Sequence, residues 1–485
     1  MDPEPLEEVP DSDSSVGHTI QLRRRAGRPP RLFKFSVASL GAVLAYLACN
    51  AHVADPIHLY LGLVIVVLGF LPALLWLKHS RFGLPVFETF MATTVTAYGV
   101  PLISGQNQLL NYSVATITAA GFAVVLFQAV ALLTYVSTRA RPKHTRAWTR
   151  NVVSGDISRY LGYGMALSTA YIVVDQFTNW IPNDLEGPVR ATCIGLGTIA
   201  TFVECRLWGQ GALPQRQKAI FVIQLVIQVL FSLVSIFLVQ AISILILGLL
   251  AYVSGSKRFP VLTVALLLPL FAILHHGKSA MREKYWVNYA PLPTFAQLPD
   301  FFTEWIEDGL VSEPAGGDPA EKHSLLDRTS LIQILCLVVA NTPDHLPYLN
   351  GETYLQIPGQ FVPRFFWPNK PVGHISTYTL SIYYGLQNAE DTEKTTIGFG
   401  LLTEAYANFG YIGVVLIGFL FGTAFKKFSG WAADSPILSY PGMVMIVLMA
   451  WSFQDEMTLS LWLSSLYQAC LVVCAVPFVL GDFIG

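Results

Sequence analysis

Two basic side chains stand four residues apart in the segment HHGKSAMREKYW, at the end of an apolar run. Lys278 and Arg282 share one face if that run is a helix, because residues i and i+4 are neighbours on a helix surface. Two cations on one face at a membrane surface suit the oxygens of a lipid-linked diphosphate, since Arg makes bidentate contacts and Lys supplies a point charge. The alternative is that both side chains extend toward lipid headgroups, as is common at the ends of membrane helices.

A second basic pair lies in the stretch from Tyr348 to Pro371, which reads YLNGETYLQIPGQFVPRFFWPNKP. Arg364 and Lys370 stand there close to Trp367 and to several prolines. Proline fixes φ and removes a backbone donor, so this segment cannot be a helix or a central strand. A rigid loop with cations and aromatic rings suits an anionic headgroup beside a sugar. The alternative is a loop that its aromatic residues anchor at the membrane interface.

A carboxyl group lies inside the apolar run that follows, in TTIGFGLLTEAYANFGYIG. At a rise of about 1.5 Å per residue, Glu404 is expected about 10 Å below the membrane surface. Asn408 and Tyr411 would share its helix face at i+4 and i+7. An ionisable residue at this depth indicates a functional site, and a carboxylate there could take a proton from a sugar hydroxyl. The alternative is a structural partner of a basic side chain.

Weaker candidates lie in the same polar region. Glu352 and Tyr354 could accept hydrogen bonds from sugars or stack on them, with ordinary loop packing as the alternative. Arg328 could contact phosphate or extend toward headgroups. His345 and His374 are solitary loop histidines, and we expect both to face solvent.

The composition indicates a membrane protein. The chain has 485 residues, of which 53% are hydrophobic and only 13% charged, whereas soluble proteins carry about a quarter charged residues. Repeated apolar runs of about 16 to 25 residues predict a polytopic, all-α integral membrane protein. The net charge of −2 and the lack of a basic patch give no indication of nucleic-acid binding. The six cysteines lack the spacing of a metal site. The acidic run EDTEK (390–394) resembles a metal-binding run, but adjacent acids in an exposed loop are usually solvated, so no metal or other cofactor is predicted.

The apolar runs predict about twelve transmembrane helices. They lie at about 35–51, 58–77, 84–103, 112–136, 158–175, 188–205, two within 219–253, 259–275, 398–424, 436–453 and 458–481. This number places the short basic connections on one side of the membrane, which the positive-inside rule identifies as the cytoplasm, together with both termini. The predicted organisation is a disordered cytoplasmic tail (1–34), nine helices (35–275), one large extracytoplasmic loop (276–397) and three helices (398–485).

Two helices are expected within the large loop. Residues 300–311 begin with a helix-start Asp300, and an apolar face would lie on the membrane surface. That face comprises Phe301, Phe302, Trp305 and Ile306. Residues 324–341 have helical periodicity, but their uncharged apolar core is too short to cross a bilayer. We therefore expect this second helix to dip into the outer surface or to lie on it.

Four segments follow one another between about 275 and 425: GKSAMR, LLDRTSLIQIL, NTPDHLPYLNGETYLQIPGQFVPRFFWPNKP and EAYANFG. In their order, they resemble the Wzy-type repeat-unit polymerases of bacterial O-antigen and related polysaccharides. The resemblance implies a metal-independent glycosyltransferase of the bacterial inner membrane. Such enzymes transfer a growing glycan from undecaprenyl diphosphate onto an undecaprenyl-diphosphate-linked repeat unit. A charged amino-terminal tail as long as this one departs from the usual pattern.

The resemblance also assigns roles to the candidate residues. It implies that Lys278, Arg282, Arg364 and Lys370 lie at the diphosphate and that Glu404 is a base or a sugar-binding acid. The predicted catalytic residues are Glu404, Arg364 and Arg282, and the predicted substrate-binding residues are Lys278, Lys370, Arg328, Tyr354, Glu352, Asn408 and Trp367. Expected partners are undecaprenyl-diphosphate-linked oligosaccharides and membrane lipids, with a chain-length regulator and a flippase in the same system.

Two other classes of protein fit the same features. Twelve helices with both ends inside also describe many transporters, so a lipid-linked oligosaccharide flippase is the main non-enzyme alternative. Another lipid-carrier glycosyltransferase, or an O-antigen ligase, would use the same cations at a diphosphate. The product separates these possibilities: a polymer ladder, transport without lengthening, a single added sugar, or transfer to another lipid.

Overall fold

The described residues form helices joined by turns, and none of them lies in a strand. The computed structural model describes residues 31–484 except 79–83, 140–156, 179, 182, 237, 257, 288–289, 292, 312–329, 363–365, 368–369, 393–395, 434 and 454–455. Before the large loop, nine helices follow one another. They are α1 (Arg31–Cys49), α2 (Pro56–Lys78), α3 (Val86–Ser104), α4 (Val114–Ser137), α5 (Ile157–Phe177), α6 (Asn183–Gln210), α7 (Gln215–Val234), α8 (Leu238–Ser256) and α9 (Val261–Arg282).

The loop region and the end of the chain add six further helices of at least nine residues among the described residues. The loop contributes α10 (Leu298–Val311), α11 (Ile332–Asn341) and α12 (Ile375–Tyr383). The last three are α13 (Gly400–Trp431), α14 (Tyr440–Trp451) and α15 (Leu459–Ile484). Every apolar run that predicted a membrane helix therefore contains a helix.

Six of the described helices are long and apolar enough to cross a membrane: α2, α3, α4, α7, the α9 segment extended to Trp286, and α13. This is the architecture of a helical membrane protein. Several predicted boundaries differ from the structure; for example, α6 spans Asn183–Gln210 rather than 188–205, and α13 ends at Trp431 rather than at 424. Helix α1 begins at Arg31 rather than at 35, and α9 continues past 275 to Arg282. The predicted disordered residues 1–30 and the basic connection 140–150 lie outside the described residues.

Helix α9 stands apart from the helix that precedes it. It is the least buried of the six candidate membrane helices, and its main packing partner is α10 rather than α8. Large apolar side chains on α9, such as Leu262 and Leu266, are exposed in the protein. This surface is what a helix facing lipid would present, and the separation from α8 leaves space between the two helices.

Helix α10 holds the end of α9 that carries the basic pair. A Cβ added at Gly277 would come within 2.5 Å of the Trp305 carbonyl oxygen, so only glycine permits this close approach of the two backbones. The Trp305 indole donates a hydrogen bond to the Leu274 carbonyl at 2.7 Å. The predicted helix is confirmed, but the apolar face with Phe301 and Trp305 packs on α9 and is not available to lie on the membrane.

Helix α11 packs into the bundle against α4 and α13, with Ile332, Leu335 and Cys336 fully buried. Its entrance is fixed where the Leu331 amide donates to the Ala97 carbonyl at 2.9 Å. That carbonyl lies in a π-helical turn of α3, where the widened turn releases a backbone acceptor from its usual partner. The predicted helix 324–341 is observed over Ile332–Asn341 among the described residues, and its expected place at the outer membrane surface stays a prediction.

Helix α13 is interrupted at Gly410, whose φ of 59° and ψ of −141° are not helical. The Tyr348 hydroxyl lies 2.6 Å from where a Cβ on Gly410 would be, so both the backbone angle and the close approach require glycine. The prediction that Glu404, Asn408 and Tyr411 share one helix face is wrong for Tyr411. Beyond the break, the Tyr411 hydroxyl donates to the Ala119 carbonyl of α4 at 3.0 Å.

Candidate functional site

A partly enclosed cavity of about 1630 Å³ lies between α8 and α9. Its long walls are apolar, with Leu245 and Leu249 from α8 facing Leu267 and Phe271 from α9. It extends along α9 from Pro260 at one end to the basic pair at the other. A space of this kind suits a molecule with a long apolar part and an anionic end.

The basic end of the cavity contains the pair predicted from the sequence. Lys278 and Arg282 both line it, which confirms that they share one side of α9. Lys278 is buried, with only 8% of its surface exposed. The Arg282 guanidinium lies over the Trp286 ring, 4.1 Å from its centroid, and this cation–π contact orients it within the cavity.

Across the cavity from the basic pair, the connection between α14 and α15 contributes a carboxylate. Glu456 lines the same end, and the residue is exposed in the protein. The Gly400 amide donates to the Glu456 carbonyl at 2.9 Å, which ties this connection to the start of α13. Burial raises the pKa of the Glu456 carboxyl above its usual value, and the Lys278 ammonium opposes part of that rise.

Glu456 was not among the candidate residues, although the sequence contains a signal for it. Two acids, Asp455 and Glu456, occupy a short connection between two apolar runs. The parity of the predicted helices puts that connection on the same side of the membrane as Lys278 and Arg282. Because these acids and the basic pair carry opposite charges and are predicted at the same membrane surface, the sequence could have indicated that they lie on opposite sides of one site.

The prediction for His374 is wrong. This residue is half-buried, lines the cavity and stacks on Tyr378 with ring centroids 6.1 Å apart. Burial lowers the pKa of the His374 imidazole below its usual value. Segment 371–374 folds against α15 (for example, Gly373 lies close to Leu461), which a reading of isolated loop residues could not foresee. His345, by contrast, is exposed as expected.

Glu404 lies outside the cavity wall, in a fully buried cluster. Its Oε2 accepts a hydrogen bond from the Leu459 amide at 2.6 Å, at the first residue of α15. A carboxylate suits that position because the amides at a helix start carry partial positive charge. This geometry favours the alternative that Glu404 has a structural role. Its partner is a backbone amide, however, rather than the basic side chain that was expected.

Asn408 also lies in this cluster and joins α13 to the loop. Its Oδ1 accepts from the Gly351 amide at 2.9 Å, and its Nδ2 donates to the Thr353 hydroxyl and the Glu404 carbonyl, each at 2.8 Å. The side chain is fully buried. These bonds engage both ends of the amide with groups of the protein.

The other predicted substrate-binding residues lie apart from the cavity. Tyr354 packs on Phe409 with ring centroids 6.3 Å apart, and burial raises the pKa of its hydroxyl. Glu352 is exposed. Trp367 covers Gly359 at the loop surface.

Lys370 closes the loop that precedes it. Its ammonium donates to the carbonyl groups of Gln360 at 3.1 Å and Val362 at 2.8 Å. Lys370 does not line the cavity. Arg328 and Arg364, the remaining predicted basic residues, lie outside the described residues.

Residues 198–446 match the family described as a domain of unknown function, DUF8712. The chain belongs to this family. No curated protein and no solved structure matches the chain.

The DUF8712 region contains both long walls of the cavity, since it includes α8 and α9, and it contains Lys278, Arg282 and Glu404. Glu456 follows the matched region. Within the described part of the chain, no group of three or more His, Cys, Asp or Glu side chains could hold a metal ion.

Proposed function

We propose that this chain is a membrane glycosyltransferase that polymerises undecaprenyl-diphosphate-linked repeat units at the extracytoplasmic face of the bacterial inner membrane. The observation that carries the proposal is the cavity, which joins apolar walls between α8 and α9 to a basic end with Lys278 and Arg282. A polyprenyl chain fits the apolar part, and its diphosphate fits the basic end.

The length of α9 and the positive charges at its end agree with a lipid-linked diphosphate held within a membrane. Helix α9 has 22 residues, which at about 1.5 Å per residue matches a hydrocarbon core of about 30 Å. When the glycosidic carbon is attacked, negative charge develops on the departing diphosphate. Cations already fixed at that place stabilise this charge without reorganisation. Lys278, which is buried, and Arg282, which is held by Trp286, meet that requirement.

The proposal includes the topology that the basic residues predict. All twelve apolar helices cross the membrane, both termini are cytoplasmic, and the basic end of the cavity faces the extracytoplasmic side. A chain-length regulator and a flippase act in the same pathway as partners. Helix α11, which is packed into the bundle, and the loop that Lys370 closes then form the outer part of the enzyme.

The lipid-linked glycans of a strain lacking this chain test the proposal. We expect one repeat unit per lipid to accumulate and the polymer ladder to disappear. In the complemented strain, Arg282→Ala and Arg364→Ala should reduce chain extension by about 100-fold or more, since each removes a cation from the leaving group. Arg190→Ala is the matched control, because Arg190 is exposed and away from the cavity. A full ladder from Arg282→Ala at normal protein level would refute the assignment of the site.

A flippase for the same lipid-linked repeat unit is the second candidate. The observation in its favour is that the cavity extends along the whole of α9, from Pro260 to Arg282, as a path across the bilayer would. Reconstituted vesicles separate the two functions. A flippase moves the lipid-linked repeat unit between leaflets without lengthening it, whereas a polymerase lengthens it on one side. Transfer to a different lipid, or addition of one sugar, would indicate a ligase or another glycosyltransferase instead.

A further inference from the structure

Glu456 is the only carboxylic acid among the described residues that line the cavity. We propose that Glu456 is a catalytic residue, the base that takes the proton from the attacking sugar hydroxyl. The inference rests on the proposed function and deepens it, because it names the group that activates the acceptor. It also moves the role of base away from Glu404, which the sequence had favoured.

The segment before α13 holds the backbone of Glu456. Its carbonyl accepts the Gly400 amide at 2.9 Å, and Gly400 has a left-handed φ of 78° at the start of α13. Gly398, two residues earlier, packs on the same residue, since an added Cβ there would come within 3.1 Å of the Glu456 Cβ. A base has to be positioned before the substrate arrives, and these contacts supply that positioning.

The surroundings of Glu456 suit a base that works beside a diphosphate. The other charged and titratable side chains that line the same end among the described residues are His275, Lys278 and Arg282 from α9, His374 from the loop and Tyr378 from α12. Burial raises the pKa of the Glu456 carboxyl and thus strengthens its carboxylate as a base, while the Lys278 ammonium opposes part of that rise. The acceptor and the leaving group would then meet between two walls of opposite charge.

The chemical step balances with these groups alone. The acceptor hydroxyl gives its proton to the Glu456 carboxylate, and its oxygen forms a bond to the anomeric carbon of the donor glycan. The bond between that carbon and the diphosphate oxygen breaks, and its electron pair leaves with the undecaprenyl diphosphate. Lys278 and Arg282 stabilise the leaving diphosphate. Glu456 afterwards releases its proton to water.

Glu404 is less suited to this step. It lies outside the cavity wall, and one of its oxygens is occupied by the Leu459 amide at 2.6 Å. A base must come within hydrogen-bond reach of the hydroxyl it activates. Glu456 meets that condition from the cavity surface, whereas Glu404 would first have to leave the start of α15.

The test uses the full-length protein in nanodiscs with lipid-linked repeat units purified from a strain that lacks it. We expect Glu456→Gln to lower kcat for chain extension by about 100- to 10,000-fold, the usual contribution of a general base. Glu456→Asp should recover part of the rate. The control is Glu390→Gln, an exposed carboxylate outside the cavity, which should extend chains like the wild type.

Two further readouts separate catalysis from folding. Undecaprenyl diphosphate, added alone and followed by native mass spectrometry, should bind to Glu456→Gln within about twofold of the wild type, because the cations that hold it remain. The acid limb of the kcat/KM profile should be present in the wild type and absent from the residual activity of Glu456→Gln. Extension by Glu456→Gln at the wild-type rate, or with an unchanged acid limb, would overturn the inference.

The outcomes also distinguish this inference from the proposed function. If the wild type binds undecaprenyl diphosphate and builds polymer while Glu456→Gln does the same, only the role of Glu456 fails. If the wild type neither binds undecaprenyl diphosphate nor lengthens the lipid-linked repeat unit, the proposed function fails, and the inference fails with it.

Discussion

Glu404 offers two substitutions whose order separates a structural role from a catalytic one. Its carboxylate accepts the Leu459 amide at 2.6 Å at the start of α15, inside a fully buried cluster. Glu404→Asp shortens the side chain by about 1.5 Å and takes its oxygens out of reach of that amide. A lost charge-assisted bond costs about 1.5–3 kcal/mol, and a deleted buried methylene costs about 0.5–1.5 kcal/mol. We therefore expect Glu404→Asp to lose about 2–4 kcal/mol of stability.

Glu404→Gln keeps the length of the side chain and still presents a carbonyl oxygen to Leu459. Its bond is neutral and weaker, so the expected loss is about 1 kcal/mol. The nearby Thr353 hydroxyl is available as an acceptor for the new amide. The structural role thus predicts that Gln is tolerated better than Asp, both in stability and in chain extension. A catalytic base predicts the opposite order for chain extension, because only Asp retains a carboxylate.

Thermal melting of the purified variants in detergent, together with the polymer ladder of complemented strains, measures both quantities. Glu390→Asp and Glu390→Gln serve as controls at an exposed carboxylate. If Glu404→Asp melted like the wild type and extended chains better than Glu404→Gln, the role at the start of α15 would be wrong. The base would then be Glu404, and its carboxylate would have to reach the cavity during the reaction.

Two other predictions concern the contacts that hold the loop on the helices. Gly277→Leu should destabilise the packing of α10 on α9 by about 1–3 kcal/mol, because a Cβ there meets the Trp305 carbonyl at 2.5 Å. Gly41→Leu is its control, since nothing lies within 4 Å of an added Cβ, and equal melting temperatures of the two variants would contradict the prediction. Asn408→Ala should cost about 2–4 kcal/mol and speed proteolysis near Gly351, because it leaves buried partners unpaired. Unchanged proteolysis would contradict this.

The helices could be predicted from the sequence because their signal is local. Runs of apolar residues long enough for a bilayer appear as helices in the structure, and the short apolar segment before Asn341 is a helix as well. The pairing of α9 with α10 had a weaker signal. Gly277 and Gly309 mark the close contact, but a single sequence does not show which glycines of two helices face each other.

The candidate site was predictable in part for the same reason. Lys278 and Arg282 are neighbours on one helix, so their spacing was sufficient to place them together. Glu404 was predicted to be a base because an ionisable residue deep in an apolar run suggests function. No local pattern indicates that its carboxylate accepts the amide of Leu459, which lies 55 residues later in the chain. The place of Glu456 in the candidate site depends on a contact between two connections that are far apart in the chain. Such contacts are set by tertiary packing.

The separation of α8 from α9 bears on how two lipid-linked substrates could be held at once. Small-molecule pockets are commonly about 300–1,000 Å³, and the cavity here, at about 1630 Å³, exceeds that range. Its basic end is fixed, because α10 packs on α9 through Gly277 and Glu456 is tied to Gly400. Its apolar length is bordered by α9, the least buried of the candidate membrane helices. Under the proposed function, a rigid site beside a loosely bordered apolar groove would let the headgroups meet in one geometry while the lipid chains enter and leave.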